Sequence, residues 1–212
     1  WGTDCDASGN VSVALGETKT CTITNNDIAP KLHLRKVVVN DNGGTKTVAD
    51  FTLTADGAGS NDLSGMSPVD SGATLQADTF ALSETNVTGY AASDWVCVGG
   101  TQNSSNITVG IGGAATCTIT NDDIAPKLTL TKVVTNDDGG DAVVADFPLF
   151  VDATGVTSGV QNTFNAGAHT ASETNLTGYT AGSWTGDCAA DGSITLNPGD
   201  VKACTITNDD QP

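Results

Sequence analysis

Lysine, glutamate and asparagine recur twice in the same phase along this chain, each beside apolar residues two positions away. In LTLTKVV, Leu128, Leu130 and Lys132 alternate with polar residues, so in a strand they share one face. Leu32, Leu34 and Lys36 repeat that row in LHLRKVV. A second row is Phe80, Leu82 and Glu84, matched by His169, Ala171 and Glu173. A third is Cys117, Ile119 and Asn121, matched by Cys204, Ile206 and Asn208. Each set sends one amine, one carboxyl and one carboxamide toward an apolar interior. A charge buried alone is strongly unfavourable, so these groups must meet one another or escape to water.

The elements that position them are repeats. KLHLRKVVVNDNGGTKTVADFTL from Lys31 matches KLTLTKVVTNDDGGDAVVADFPL from Lys127, and ALSETNVTGYAASDW from Ala81 matches TASETNLTGYTAGSW from Thr170. WTGDCAADGSITLNPGDVKACTITNDD from Trp184 matches WGTDCDASGNVSVALGETKTCTITNND at the start. Residues 1–29 therefore read as the last third of a repeat, and residues 30–125 and 126–212 as two whole ones. The first piece has no first strand, no SET motif and no lysine of its own to match, so the chain is expected to be a window on a longer polypeptide. DIAP forms the joints, which are short and stiff because Pro fixes its own φ and restrains the residue before it.

Composition and patterning predict an all-β fold. The 212 residues hold 25 Gly, few aromatics and much Thr, Val and Asn. LTLTKVV alternates, VADFTLTAD and TFALSET read as further strands, and no helix is expected. NDNGG and NDDGG read as hairpin turns, as does Asn197-Pro198-Gly199 within SITLNPGDVKACTITN. The expectation is tandem small antiparallel β-sandwiches, one per repeat, arranged end to end. With 8 basic against 25 acidic residues, the net charge of −17 excludes nucleic acid and anionic membrane as partners. No apolar run reaches the length of a membrane-spanning helix.

The first-strand lysine, SETNLTGY and a last strand ending in Asn resemble the Cna B-type, prealbumin-like (SpaA-like) repeat of bacterial surface proteins. A Glu followed by Gly-Tyr is that family's middle motif, met here at Glu84 with Gly89-Tyr90 and at Glu173 with Gly178-Tyr179. The resemblance covers essentially the whole chain. The chain departs from the commoner pilin pattern in lacking Ala-Pro before Gly-Tyr and in adding paired cysteines, and is closer to long tandem arrays in large secreted proteins. The resemblance implies an intramolecular Lys–Asn isopeptide bond assisted by the Glu. Its candidates are Lys36, Glu84 and Asn121 in one repeat and Lys132, Glu173 and Asn208 in the other. Asn25 is the acceptor for a lysine upstream. Burial favours the neutral amine and the neutral carboxyl group, so the amine can attack the amide carbonyl while the acid polarises it. The alternative is a buried Lys–Glu pair with Asn capping a turn.

Six cysteines fall into one pair per repeat unit: Cys5 with Cys21, Cys97 with Cys117, and Cys188 with Cys204. Their wide spacing does not fit a zinc site, and disulfides place the chain in an oxidising, extracellular or cell-surface setting. Each bridge is worth about 3 kcal/mol on the chain-entropy model. His33 and His169 are not equivalent positions, so no catalytic triad is kept in both copies, and the chain is expected not to be an enzyme and to need no cofactor. Trp1, Trp95 and Trp184 are equivalent and read as core rather than as a sugar platform. NDNGG and NDDGGD lack the distant bidentate Glu of a calcium loop, so no metal is expected. Asn10, Asn86, Asn103, Asn106 and Asn175 lie in N-x-S/T sequons, which matter only in a glycosylating host.

Together these residues point to a structural repeat segment of a long extracellular stalk or fibre. The alternatives are the spacer of an adhesin, or a glycan- or calcium-binding module. The expected partners are adjacent repeats of the same longer polypeptide, with lateral association of like chains left open.

Overall fold

A computed structural model describes residues 1–212. Two sandwiches of the same plan dominate it. In the first, Lys31–Val39, Val69–Asp70, Tyr90–Ala92, Val96–Gly99 and Ala114–Asp123 form one five-stranded sheet. Thr52–Asp56, Leu63–Met66, Asp78–Glu84, Thr101–Asn103 and Asn106–Val109 form the facing sheet. In the second, Lys127–Thr135, Gln161–Thr163, Tyr179–Ala181, Thr185–Gly186 and Val201–Asp210 form one sheet. Leu149–Val151, Thr154–Val156, Gly167–Glu173 and Ser193–Leu196 form the other.

Pairing is antiparallel with one exception per repeat. The first and last strands lie side by side and parallel, with Lys36 opposite Ile119 and Val38 opposite Asn121. The second repeat keeps that register, with Lys132 opposite Ile206 and Val134 opposite Asn208. The period of two then sets burial: Leu32, Leu34 and Lys36 are buried while His33 and Arg35 are half-buried. Leu32, Leu34, Phe80, Trp95, Ile107 and Cys117 fill one core, and Leu128, Leu130, Leu149, Trp184, Ile194 and Ile206 fill the other.

Three sequence expectations are corrected. Asn197-Pro198-Gly199 does turn the chain, with Asp200 N–H donating to Asn197 C=O at 3.0 Å. It does not close a hairpin, because Ser193–Leu196 and Val201–Asp210 belong to opposite sheets. NDNGG and NDDGG are likewise arches, carrying the chain from Lys31–Val39 to Thr52–Asp56 and from Lys127–Thr135 to Leu149–Val151, in opposite sheets. A turn signal fixes a local reversal; whether the next strand pairs back or crosses over depends on which apolar row still needs cover. The VAD segments are not strand but single 3-10 turns, Val48–Asp50 and Val144–Asp146. Asp50 secures the first by accepting from the Thr47 N–H at 2.8 Å.

Residues 1–29 carry only the short strands Gly2–Thr3 and Cys21–Thr22. Trp1 is 54% exposed, whereas its equivalents Trp95 and Trp184 are each 7% exposed. Those two are covered by strands that residues 1–29 do not contain.

Candidate functional site

In the first repeat the parallel strand pair brings Lys36 and Asn121 together, and Asp78–Glu84 of the facing sheet supplies the acid. The Lys36 Nζ donates to Glu84 Oε2 at 2.6 Å and to Asn121 Oδ1 at 2.5 Å. The lysine side chain is fully enclosed and that of Glu84 is 8% exposed. Beneath them the ring of Phe51, itself fully buried, lies 4.4 Å from Nζ at its centroid. Burial pushes the Lys36 amine below its ordinary pKa, opposed by the hydrogen bond and charge of Glu84. An amine, a carboxamide and a carboxyl group thus share a buried pocket, with the nitrogen against the amide oxygen.

The second repeat has the same residues in the same register but a different contact set. Lys132 Nζ donates to Glu173 Oε2 at 2.7 Å and sits 4.4 Å from the Phe147 ring centroid. Burial lowers its pKa as well, again opposed by the glutamate. Asn208 is fully buried and makes a different contact: its Nδ2 donates to Asn175 Oδ1 at 3.4 Å. Asn208 Oδ1 and Glu173 Oε1 are left buried without hydrogen-bond partners. Asn25 lies in exposed chain outside any strand.

The cysteines join as Cys5–Cys21, Cys97–Cys117 and Cys188–Cys204. Cys97 stands directly opposite Cys117 on the last strand, so that bridge ties neighbouring strands of one sheet. Cys188 reaches Cys204 from the loop after Thr185–Gly186.

A second constellation escaped the sequence reading. Asp123 continues the Cys117, Ile119, Asn121 row by one more step and is buried. Its carboxylate accepts from the backbone N–H of Asn42 at 3.0 Å and of Gly44 at 2.5 Å. Asp210 does the same with Asp137, Asp138 and Gly140. Each NDNGG-type loop is therefore a ring of N–H groups closed on the last strand's carboxylate. Desolvation pushes Asp123 up, but these donors outweigh it and hold the group below its usual range. Tyr90 completes the clamp, accepting from Lys46 N–H at 3.0 Å and donating to Asn40 Oδ1 at 2.5 Å. Tyr179 repeats this with Ala142 and Asn136. A Cβ on Gly44 would collide with both Tyr90 and Asp123, which is why the loop's last residue is glycine.

Asp41, Asp122 and Asp123, and Asp137, Asp138 and Asp210, gather within reach of a single ion. The buried carboxylate of each group faces N–H donors, an arrangement for an anion rather than a cation. His33 pairs with Asp70, and His169 with Asp152, at unrelated places. Trp95 and Trp184, being buried, offer no open ring face to a sugar.

The sequence matches the family model described as a prealbumin-like fold domain, SpaA_2, over residues 27–119 and again over 123–206. No curated protein matches it. Among solved structures, the Bacillus anthracis TIE protein is similar at 14% identity and a TM-score of 0.49, over 87% of this chain and 34% of that one. The chain thus spans about a third of the TIE protein's length. The T-13 major pilin of Streptococcus pyogenes is 12% identical with a TM-score of 0.37, over 89% of this chain and 98% of that one. The C-terminal fragment of the pilus adhesin SpaC from Lactobacillus rhamnosus GG is 13% identical with a TM-score of 0.40, over 86% and 98%.

Proposed function

The chain belongs to the prealbumin-like fold domain family, and from that premise we propose that it is a tension-carrying segment of an extracellular or cell-surface stalk, reinforced by disulfides and by Lys–Asn isopeptide bonds. The three disulfides fit an oxidising location, and no helix is long and apolar enough to cross a membrane. The observation that carries the reading is the contact of Lys36 Nζ with both Glu84 and Asn121, on adjacent first and last strands.

The reaction is a single condensation. The neutral Lys36 amine attacks Asn121 Cγ, its proton passes through Glu84 to the departing Nδ2, and the C–Nδ2 bond breaks. A secondary amide forms and one ammonia leaves, with no turnover and no co-reactant. Fixed neighbours replace the entropy cost of bringing two side chains together, so a slow reaction completes once per molecule. The mechanical result follows from topology. Tension that enters at Lys31 and leaves at Asp123 passes from residue 36 to residue 121 through the new amide. Residues 37–120 then bear no load. In the second repeat a Lys132–Asn208 bond would shelter residues 133–207.

Single-molecule pulling of the full chain in oxidising buffer tests this reading. Sheltered repeats give short extensions before the covalent chain stiffens. Two extensions approaching a whole repeat at low force, one from each sandwich, overturn it. A spacer role behind an adhesive tip places the same mechanical demand on these residues.

A further inference from the structure

The joint between the two sandwiches is a built contact at three points. Ile124 of the DIAP segment donates its N–H to Gly89 C=O of the first repeat at 2.9 Å. Its own C=O accepts from Gly199 N–H of the second repeat at 2.6 Å. The joint residue is thereby held from both sides. Beside it, a Cβ on Gly89 would run into the backbone and ring of Pro198. Across the joint, Ala166 N–H donates to Asn42 C=O at 2.7 Å, and a Cβ on Gly43 would run into Ala166. A cavity of about 420 Å³, lined by Thr88, Tyr90, Asn197 and Pro198 among others, fills the remaining gap.

Each half of this contact occurs a second time. On the lower side, Gly112 N–H donates to Ile28 C=O at 2.7 Å, as Gly199 does to Ile124. Lys31 N–H donates to Gly113 C=O at 2.9 Å, as Lys127 does to Asp200 at 2.8 Å. On the upper side, Gln211 N–H donates to Gly178 C=O at 2.9 Å, as Ile124 does to Gly89. Gly139 and Gly178 keep the positive φ of Gly43 and Gly89, at 96° and 89° against 85° and 83°, yet a Cβ on either meets nothing.

We propose that the Gly-Gly arch (Asn42-Gly43-Gly44 in the first repeat, Asp138-Gly139-Gly140 in the second) and the Gly-Tyr glycine of each repeat form a docking face for the next copy of the repeat, seating the turn before its last strand, here Asn197-Pro198-Gly199, and the alanine before its SET strand. Gly89 and Gly43 are bare because another backbone lies on them. The open face at Asp138, Gly139 and Gly178 is shaped for a further copy of the edge that Ala166 and Pro198 present. The consequence is a stalk whose repeats hold a fixed mutual orientation, whether or not the lysines form amides, so this inference stands apart from the covalent one.

Gly89 and Gly178 allow an internally controlled test, because valine is strained equally at both and meets a neighbour only at the first. The residual dipolar couplings of the two repeats in the full chain are expected to fit one alignment tensor. Gly89→Val is expected to split them into two tensors of unequal magnitude, while Gly178→Val leaves one. Pro198→Gly, which adds no bulk at a left-handed position, should split them too. In a chain extended after Asp210 by a second copy of residues 124–212, Gly178→Val should free the added repeat. Separate tensors in the unmodified chain, or equal effects of Gly89→Val and Gly178→Val, would overturn the docking face.

Discussion

The two repeats hold the same Lys, Glu, Asn and Phe in the same register, yet only the first shows a hydrogen bond between its lysine and its asparagine. In the first, Asn121 Oδ1 meets Lys36; in the second, Asn208 is turned toward Asn175 and leaves its own oxygen orphaned. Residue types and strand register are therefore not sufficient. What differs is the partner of one amide near the end of the last strand, which pairs with Asn175 in the loop just beyond the Gly167–Glu173 strand. A buried oxygen without a partner is costly, about 1–3 kcal/mol, so the second arrangement is the more strained of the two and the one a substitution can move.

The largest effect should come from removing the buried lysines. Lys132→Met strands Glu173 in an apolar pocket and should cost about 3–5 kcal/mol in thermal or denaturant unfolding. On the proposed chemistry Lys36 is held in a neutral amide rather than an ion pair, and Lys36→Met loses that cross-link as well as leaving Glu84 buried without its partner, so it should cost more than Lys132→Met. Equal losses would mean that the two repeats do not differ covalently. Adding Glu173→Gln to Lys132→Met should recover much of the loss.

Acid comes next, and it should treat the repeats alike. Asp123 and Asp210 titrate below the ordinary carboxylate value because backbone N–H donors outweigh desolvation. Unfolded, each titrates near 3.9, about the model-peptide value. Their contribution is therefore complete above that pH and disappears as the pH falls through the lower folded value. The melting temperature should drop steeply below about pH 4, and Asp123→Asn should flatten that drop for the first repeat alone.

Tyr90→Phe should be smaller, about 1–2 kcal/mol, because it leaves Lys46 N–H and Asn40 Oδ1 unpaired. Tyr179→Phe should match it, since both clamps have the same partners. Unequal losses would show that the repeats differ beyond the lysine pocket. The smallest effect on stability should be that of Asn175→Ala, about 0.5–1.5 kcal/mol for one weak neutral hydrogen bond. It is the sharpest probe of the comparison, because it frees Asn208 to turn toward Lys132. Intact mass should then show a larger fraction of a second ammonia loss than the unmodified chain.

Much of this was legible in strand period alone. Alternation placed Lys36, Glu84 and Asn121 on inward faces, and repetition identified which cysteines belong to one unit. The arches were not legible, because Asn-Pro-Gly and Asn-Gly-Gly specify a reversal and not the sheet that receives the next strand. Asp123 was missed because a surface aspartate is the ordinary expectation, although its place two residues beyond Asn121 put it on the buried face. Phe51 lies in VADF, where the single 3-10 turn breaks the alternation that would have assigned its face. The partner of Asn208 is a loop residue, Asn175, and no pattern along one strand reports such a contact.

The central claim is that Lys36 and Asn121 condense with loss of ammonia. The most direct measurement is the intact mass of the reduced, denatured chain, followed by peptide mapping across residues 36 and 121. The account predicts a mass below that of the sequence by at least one ammonia and a branched peptide joining Lys36 to Asn121, with both lost in Glu84→Ala. The full sequence mass, with residues 36 and 121 recovered on separate linear peptides, would contradict it.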